Sequence, residues 1–531
     1  MQAFWRNPEF VRHLRSQLRP MRAIAVAAVM AIVCVLVWMS CWAVQQAELE
    51  AARRAAIEFH DKVGSHWATR VQHMEADFTR QVSRLFFQWL LGIQAVLVTF
   101  WSLAACAQGV LGERDRKTWD FQRTTRLTSG EMVIGKLLGE PVLAYFILAC
   151  SLPVSLIAGA AGGVSASALF SMYAVLIANA LFLGLGGLWL STMLEGRSRG
   201  LFVIGALGLA AFSGLSIPFR LTQFPGLAAF SPYMAMGSYL GGFGGPRLES
   251  PTVFGQSVPW AVMSLLLYFC FGAWLALLLV RNIKRDYPDI RPLSRWQALG
   301  FAAFLNFIIY ALFRPEMGGT AVISTAHDLA ELAVILNGVI LFVVGLATLT
   351  PRERLKVWWR QRAAGAADIF SEEGLPWPWI TLSAAAAYGL LVWGLLTWRH
   401  ALVFDSDSLK TAGVALLAVL IFVIRDVLFL EWCMLTRLRQ PVMKGLLYLG
   451  LYYTATLVVG GVFLRFSANA GERVMTALTP AGVFDPHLVG LSFPAWFYLG
   501  LMLQMGLIAV LLLAIGNRLT RPGMASALAT A

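Results

Sequence analysis

Long apolar runs alternate with short polar segments along the whole chain. Runs long enough to cross about 30 Å of hydrocarbon predict membrane-spanning helices. The predicted fold class is an all-α polytopic membrane protein with about 12 transmembrane helices, the run at 299–313 being the shortest and weakest. The twelve runs are approximately 23–44, 86–108, 141–161, 168–193, 201–219, 257–280, 299–313, 329–348, 377–397, 411–434, 447–465 and 493–516.

Composition supports this class. Of the 531 residues 58% are hydrophobic and only 13% are charged, whereas soluble domains contain about a quarter charged residues. The net charge of +13 does not indicate nucleic-acid binding, because the basic residues lie in short blocks between apolar runs. Such blocks orient helices in a bilayer, so the expected contacts are membrane lipids.

The positions of the basic residues predict the orientation. With the N-terminus placed in the cytoplasm, 28 lysines and arginines fall on the inner side and 12 on the outer side. The positive-inside rule therefore predicts cytoplasmic N- and C-termini. Two six-helix halves follow, 1–280 and 281–531. The first half has two long outer segments, a predicted helical loop at 45–85 and a Pro- and Gly-rich loop or re-entrant gate at 220–256.

Motifs for catalysis, metals or nucleotides are weak. Gly130, Gly135 and Lys136 fit the core of a phosphate-binding loop, but Leu137 stands where that loop needs Ser or Thr for magnesium. His66 and His73 would lie about 10.5 Å apart along a helix, too far to share one metal ion. The sequence predicts no catalytic residue, no metal and no cofactor bound by this chain.

The polar segment 109–140 is the most informative. It predicts a short helix along the membrane, in which Trp119 and Phe121 anchor at the interface. Thr128 and Glu131 predict an N-cap and an acidic first turn for the helix that follows. The basic residues expected to face water and lipid phosphates are Arg114, Arg116, Lys117, Arg123 and Arg126.

These motifs resemble the permease subunits of type-2 ABC exporters. That family has an acidic, Thr-containing stretch after the second span, then a short turn and Gly-Lys-Leu at the third span. Here the matching stretches are Glu113-Arg114-Asp115, Lys117-Thr118-Trp119-Asp120, Leu127-Thr128-Ser129 and Ile134-Gly135-Lys136-Leu137-Leu138. The amphipathic stretch Asn7–Arg15 resembles the family's elbow helix. Lys117 stands where the family usually has Gly.

The resemblance implies a transport subunit that is not itself an enzyme. It would export a substrate across the bacterial inner membrane, and a separately encoded cytoplasmic ATPase would bind ATP and Mg. Residues 109–140 would form the coupling helix region that contacts this ATPase, and 220–256 would cap the outer end of the path. The implied coupling residues are Glu113, Arg114, Lys117, Thr118, Asp120, Arg123, Thr128, Gly135 and Lys136.

The second half repeats this layout as a diverged copy. The stretch Arg291–Trp296 is a candidate second elbow, and Arg352, Arg354 and Trp358 mark a candidate second coupling region. Two parallel six-helix halves are a known transporter architecture. One chain could therefore form the whole pore, or a second permease chain could complete it; the sequence leaves both open.

Three charged residues, Arg425, Asp426 and Glu431, form a candidate intramembrane charge network. Neighbouring residues on a helix point about 100° apart, so we expect Arg425 and Asp426 to pair with other helices rather than with each other. They would serve either as a structural bridge or as part of a substrate path. Carboxylates in a span also keep open an alternative function, an ion- or proton-coupled secondary transporter.

Overall fold

The computed structural model is mostly helical and forms two compact units, Met1–Tyr287 and Pro288–Ala531. The residues that the structure describes are 7–58, 71–124, 126–193, 229–240, 250, 252–253, 256–285, 293–312, 326–397, 406–436, 441–466, 478 and 495–520.

In the first unit, long helices surround a central pair. Helix α3 packs against α2, α7 and α8, and α8 also packs against α10. The helices are α1 (Pro8–Gln17), α2 (Pro20–Glu58), α3 (Phe78–Gly109), α4 (Leu111–Asp115), α5 (Trp119–Arg123), α6 (Ser129–Gly139), α7 (Val142–Ala161), α8 (Ala166–Met193), α9 (Pro232–Leu240) and α10 (Trp260–Asn282). The strands β1 (Thr252–Val253) and β2 (Gln256–Ser257) form one short antiparallel pair.

The second unit is built around one central helix, α15. It packs against α12, α14, α16 and α17, while α11 packs against α12 and α14. The helices are α11 (Arg295–Leu312), α12 (Ala326–Ala347), α13 (Arg352–Ala363), α14 (Trp377–Thr397), α15 (Ser406–Met434), α16 (Pro441–Phe466) and α17 (Ala495–Thr520).

Seven helices within the described residues are long and apolar enough to cross a membrane. They are Pro20–Ala55, Phe78–Asp115, Val142–Ala161, Ala166–Thr192, Trp260–Asn282, Ala412–Met434 and Phe497–Thr520. Val334–Ala347 with Arg352–Ala363, bent by 86° at the break, would be an eighth if counted as one span. On α17 Met502 is 72% exposed and Leu513 is 68% exposed, which suits lipid rather than water.

The chain is therefore a multi-pass, predominantly α-helical membrane protein. Four further predicted segments, 299–313, 329–348, 377–397 and 447–465, coincide with α11, α12, α14 and α16. The predicted segment 201–219 lies outside the described residues, and the total of twelve spans stays a prediction.

The two predicted outer segments contain regular structure. Helix α2 continues to Glu58, and Arg53 near its end donates to Glu75 Oε1 from both Nε (3.0 Å) and Nη2 (2.6 Å). In the 220–256 segment, α9 packs against α8 and α10, and the Tyr268 hydroxyl donates to the carbonyl of Phe230 at 2.8 Å. The described part of 220–256 thus includes a packed helix.

Candidate functional site

The Gly-Lys-Leu stretch forms the docking surface for α1. Asn7 caps α1 by accepting from the Glu9 N–H at 3.0 Å, and its Nδ2 donates to the carbonyl of Glu131 at 2.6 Å. A Cβ added at Gly135 would lie 2.8 Å from both Asn7 Oδ1 and Glu9 Cβ, and one at Gly139 would lie 3.0 Å from His13 Cβ. Gly135 and Gly139 are four residues apart and share one helix face, so two glycines let α1 approach α6 closely.

The N-terminus of α6 has the predicted cap. Thr128 accepts from the N–H of Glu131 at 3.2 Å, and the Glu131 carboxylate accepts from the N–H of Thr128 at 2.8 Å. This reciprocal pair is a capping box, which satisfies two backbone donors at once. The hydrogen bonds from Thr128 also lower the pKa of Glu131. The capping box therefore fixes the residue at which α6 begins, and with it the position of Lys136 along the helix.

Lys136 is fully buried and lies among three carboxylates. Its Nζ is 2.6 Å from Glu113 Oε2, 3.2 Å from Glu9 Oε1 and 4.0 Å from Glu140 Oε1. Burying an ammonium group without partners would cost several kcal/mol. The carboxylates of α1 and α4 are those partners, so Lys136 links α6 to both helices.

Arg12 completes this network from the solvent side. Its Nη2 is 2.7 Å from Glu9 Oε1 and 2.6 Å from Glu113 Oε1, and the Gln122 amide of α5 also donates to Glu113 Oε1 at 2.6 Å. His13 Nε2 is 3.3 Å from Glu9 Oε1 and 3.6 Å from Glu140 Oε1. We call Glu9, Arg12, His13, Glu113, Lys136 and Glu140 the junction network.

The junction network changes the proton affinity of its members in opposite directions. Burial would raise the pKa of Glu9, but the hydrogen bond from His13 and the charges of Lys136 and Arg12 outweigh it and lower the pKa to about 2. Burial raises the pKa of Glu140, which His13 and Lys136 offset only in part. Burial would lower the pKa of Arg12, yet the Glu113 hydrogen bond and the carboxylate charges raise it.

Glu9, His13 and Glu113 place three metal-ligating atoms within 4.8 Å of one another. However, Arg12 Nη2 lies 2.7 Å from Glu9 Oε1, 2.6 Å from Glu113 Oε1 and 3.2 Å from His13 Nε2. The arginine nitrogen thus lies where an ion would have to be. The arrangement is a salt-bridge network, completed by the chain's own cations.

The stretch that the sequence predicts as one short helix along the membrane forms two helices instead. It consists of two short helices, α4 and α5, separated by Lys117, whose φ of 57° lies in the left-handed region. A non-glycine residue there costs about 1–2 kcal/mol, which gives a physical reason for the glycine usual in the resembled family. Trp119 is buried against Cys106, Val110 and Met132 of the apolar core, so its predicted role as an interface anchor was wrong. Phe121 is 78% exposed.

Eight of the nine predicted coupling residues have described side chains, and they fall into two groups. Glu113, Gly135 and Lys136 are buried, and Arg114 is partly buried with Nη1 donating to the carbonyl of Thr192 at 3.2 Å. The exposed residues are Lys117, Thr118, Asp120 and Thr128. The Arg123 side chain lies outside the described residues. Among these eight described side chains, the exposed group is the one positioned for direct contact with another protein.

In the second unit, the candidate elbow residue Arg295 binds backbone carbonyls. Nη1 donates to Ser371 O (2.7 Å) and Leu375 O (3.3 Å), and Nη2 donates to Thr348 O (3.3 Å), Thr350 Oγ1 (3.0 Å) and Gly374 O. These acceptors belong to the end of α12 and to the 371–375 loop. Arg295 therefore fixes both flanks of α13, which begins just after Pro351.

Helix α13 carries the three predicted residues of the second coupling region. Trp358 is buried, and its Nε1 donates to the carbonyl of Asp368 at 3.2 Å. Arg352 and Arg354 are partly exposed. Trp358 thus anchors the helix, and Arg354, four residues before it, shares its face.

Arg425 and Asp426 pair with each other, which corrects the sequence argument. Arg425 Nε and Nη2 lie 2.8 and 2.5 Å from Asp426 Oδ1. The long arginine side chain crosses the roughly 100° separation that the backbone imposes. Other helices complete the pair: Arg425 donates to Tyr452 (3.2 Å), Tyr453 (2.9 Å) and Gln504 (2.6 Å), and the Tyr453 hydroxyl donates to Asp426 Oδ2.

Glu431, the third residue of the predicted intramembrane network, has a different partner. It is fully buried and interacts electrostatically with Arg295 rather than with the Arg425 cluster. The predicted three-residue network is therefore divided between two locations in the second unit.

Comparison with known protein families, with curated proteins and with solved structures finds no significant match to this chain. The resemblance to type-2 ABC permeases therefore rests on the motifs.

Sequence reasoning missed four of the six residues of the junction network: Glu9, Arg12, His13 and Glu140. The spacing of Glu9, Arg12 and His13, at i, i+3 and i+4 of an amphipathic helix, was an available signal of one shared face. Glu140 stands four residues after Lys136, so the same helical spacing was also available for this pair.

Proposed function

We propose that this chain is the membrane-spanning permease subunit of an ATP-driven exporter, with a separately encoded ATPase bound at the α4–α5 segment. The observation that carries the proposal is the exposed Phe121 on a short polar segment, next to exposed Lys117, Thr118 and Asp120. An isolated aromatic side chain within a polar rim is the usual composition of a binding hot spot.

The buried network beneath this surface supports a mechanical role. Glu113 is the third residue of α4 and contacts Lys136 of α6 and Arg12 of α1. A displacement of α4 by a docked ATPase would therefore move α1, α3 and α6 together. Closure of an ATPase dimer would then drive alternating access through the helices that follow, a rigid-body transition of a common kind.

The finer topology belongs to the same proposal. It comprises twelve spans in two six-helix halves, cytoplasmic termini, a bacterial inner-membrane location and a second coupling helix at α13. ATP and Mg would bind the partner ATPase, and this chain would contribute no catalytic group. The substrate is not specified by any residue discussed above.

The test is copurification of the tagged chain from its native membrane in mild detergent, followed by ATP hydrolysis measurements. We expect an ATPase to copurify with the wild type and Phe121→Ala to reduce its recovery about tenfold, as loss of a hot-spot side chain does. Phe269→Ala is the matched control, because Phe269 is also 78% exposed but lies on the apolar helix α10. Recovery with this control should equal that of the wild type.

The stoichiometry separates the remaining alternatives. Two ATPase subunits per chain would indicate a fused pseudo-dimer, whereas one would indicate that a second permease chain completes the pore. Absence of an ATPase under several gentle conditions would overturn the proposal. Proton-coupled flux in liposomes would then test the alternative, a secondary transporter.

A further inference from the structure

The junction network contains one more carboxylate than it has fixed cations. Its carboxyl groups are Glu9, Glu113 and Glu140, and its paired cations are Arg12 and Lys136. The remaining ionisable member is His13, which is mostly buried between two carboxylates. A network this enclosed is stabilised when one further proton cancels the excess negative charge.

Distances locate this proton. Glu113 and Glu9 each contact both Arg12 and Lys136 within 3.2 Å, whereas Glu140 lies 4.0 Å from Lys136 and 3.6 Å from His13. Glu140 is thus the carboxylate with the least compensation, and the His13 imidazole is its nearest ionisable neighbour in the network.

We propose that the junction of α1 and α6 is a proton-binding site, in which one exchangeable proton is carried by the Glu140 carboxyl group and holds α1 against α6. The carboxyl group lies 3.6 Å from His13 Nε2, so its O–H faces α1 when the proton is bound. Loss of the proton leaves a third buried carboxylate charge at the junction, and α1 loosens. This inference is independent of ATPase binding.

Charged and titratable groups of four helices surround the pair within the described residues. From α1 come Glu9 and Arg12, from α4 comes Glu113, and from α6 comes Lys136; the Cys106 thiol of α3 faces both Glu140 and Lys136. Gln17 Nε2 donates to the backbone carbonyl of Glu140 at 3.1 Å, which fixes the backbone beside the carboxyl group.

The sign of the pH effect follows from Glu140. Burial raises its pKa above the ordinary value of 4.5, so the folded junction binds the proton more tightly than the unfolded chain does. Its stabilising contribution is complete below pH 4.5 and is lost as the pH rises through the raised pKa. Docking of α1 should therefore be tighter in acid and weaker in neutral to alkaline solution.

The experiment measures hydrogen–deuterium exchange of α1 amides in the full-length chain in lipid nanodiscs, from about pH 5 to pH 8, corrected for intrinsic exchange rates. We expect the protection of α1 to fall about tenfold over this range in the wild type, because the proton that stabilises the junction is lost. Glu140→Gln should remove this dependence and keep α1 protected, because the amide imitates the protonated carboxyl group. Glu353→Gln, whose side chain is 70% exposed, should behave as the wild type.

A second variant keeps the proposal testable if Glu140→Gln does not fold. His13→Gln removes the imidazole, whose interaction lowers the pKa of Glu140, so we expect the loss of protection to move to higher pH. Wild-type protection that does not change with pH, or a Glu140→Gln variant that keeps the full pH dependence, would overturn the proposal. An infrared band of a protonated carboxyl group that disappears in Glu140→Gln would support it further.

Discussion

The first and second units each bury a cation, Lys136 and Arg295, beside a short polar helix, but the two cations have different partners. In the first unit, Lys136 and Arg12 are bound by the side chains of Glu9 and Glu113. In the second unit, Arg295 donates mainly to backbone carbonyls around α13. Side-chain carboxylates can be protonated or rotate away, whereas carbonyls are fixed by the fold. The first junction is therefore adjustable, and the second is fixed.

Removing the fixed junction should have the largest effect. Arg295→Met removes a donor from four carbonyls. Gly374 O still accepts from Thr350 Oγ1 and Ser371 O from the Gly374 N–H, but Thr348 O and Leu375 O lose the donor described above. Each buried acceptor left unsatisfied costs about 1–3 kcal/mol. We expect a loss of about 4–5 kcal/mol in the free energy of unfolding, measured in detergent by denaturant titration. Adding Glu431→Gln should restore little, because the carbonyls stay unsatisfied. Recovery of most of the stability would show that the Glu431 charge, and not the carbonyls, dominates.

Lys136→Met tests the adjustable junction and should cost about 3–4 kcal/mol, since Glu113 and Glu9 lose the buried one of their two shared cations and keep only Arg12. At this junction a second substitution should restore part of the lost free energy of unfolding. Glu113→Gln in the same chain removes one of the uncompensated charges, and we expect it to recover about half of the loss in a double-mutant cycle. If the double variant is as unstable as the sum of the two single ones, the network is not compensatory and the contrast between the units fails.

A smaller effect is expected from the helix contact that brings the junction together. Gly135→Ala would force a Cβ to within 2.8 Å of Asn7 and Glu9, and such overpacking costs about 1–3 kcal/mol. Gly130→Ala is the matched control on the same helix, because nothing lies within 4 Å of its added Cβ. The control should be neutral or slightly stabilising. The measurement is the thermal unfolding midpoint of both variants. Equal midpoints would contradict close packing of α1 on α6.

Sequence patterns predicted the local features and missed those made by distant contacts. Apolar runs predicted the long helices, and Thr128 with Glu131 predicted the start of α6, because hydropathy and capping are properties of neighbouring residues. The partners of Lys136 come from positions 127 and 23 residues away, and no local pattern encodes such a pairing. Lys136 was therefore predicted as a coupling residue without any indication that it is buried. The Arg425–Asp426 pair was missed because backbone directions alone ignore the reach of an arginine side chain.

Helix α2 has a length that its role as a membrane span does not require. Its 39 residues extend about 58 Å at 1.5 Å per residue, while a bilayer with its headgroups is about 40–45 Å thick. The last part of the helix, where Arg53 joins Glu75, must therefore stand well outside the lipid. An uninterrupted helix of this length acts as a lever: tilting it by about 10° about its beginning near Pro20 would carry its far end through about 10 Å.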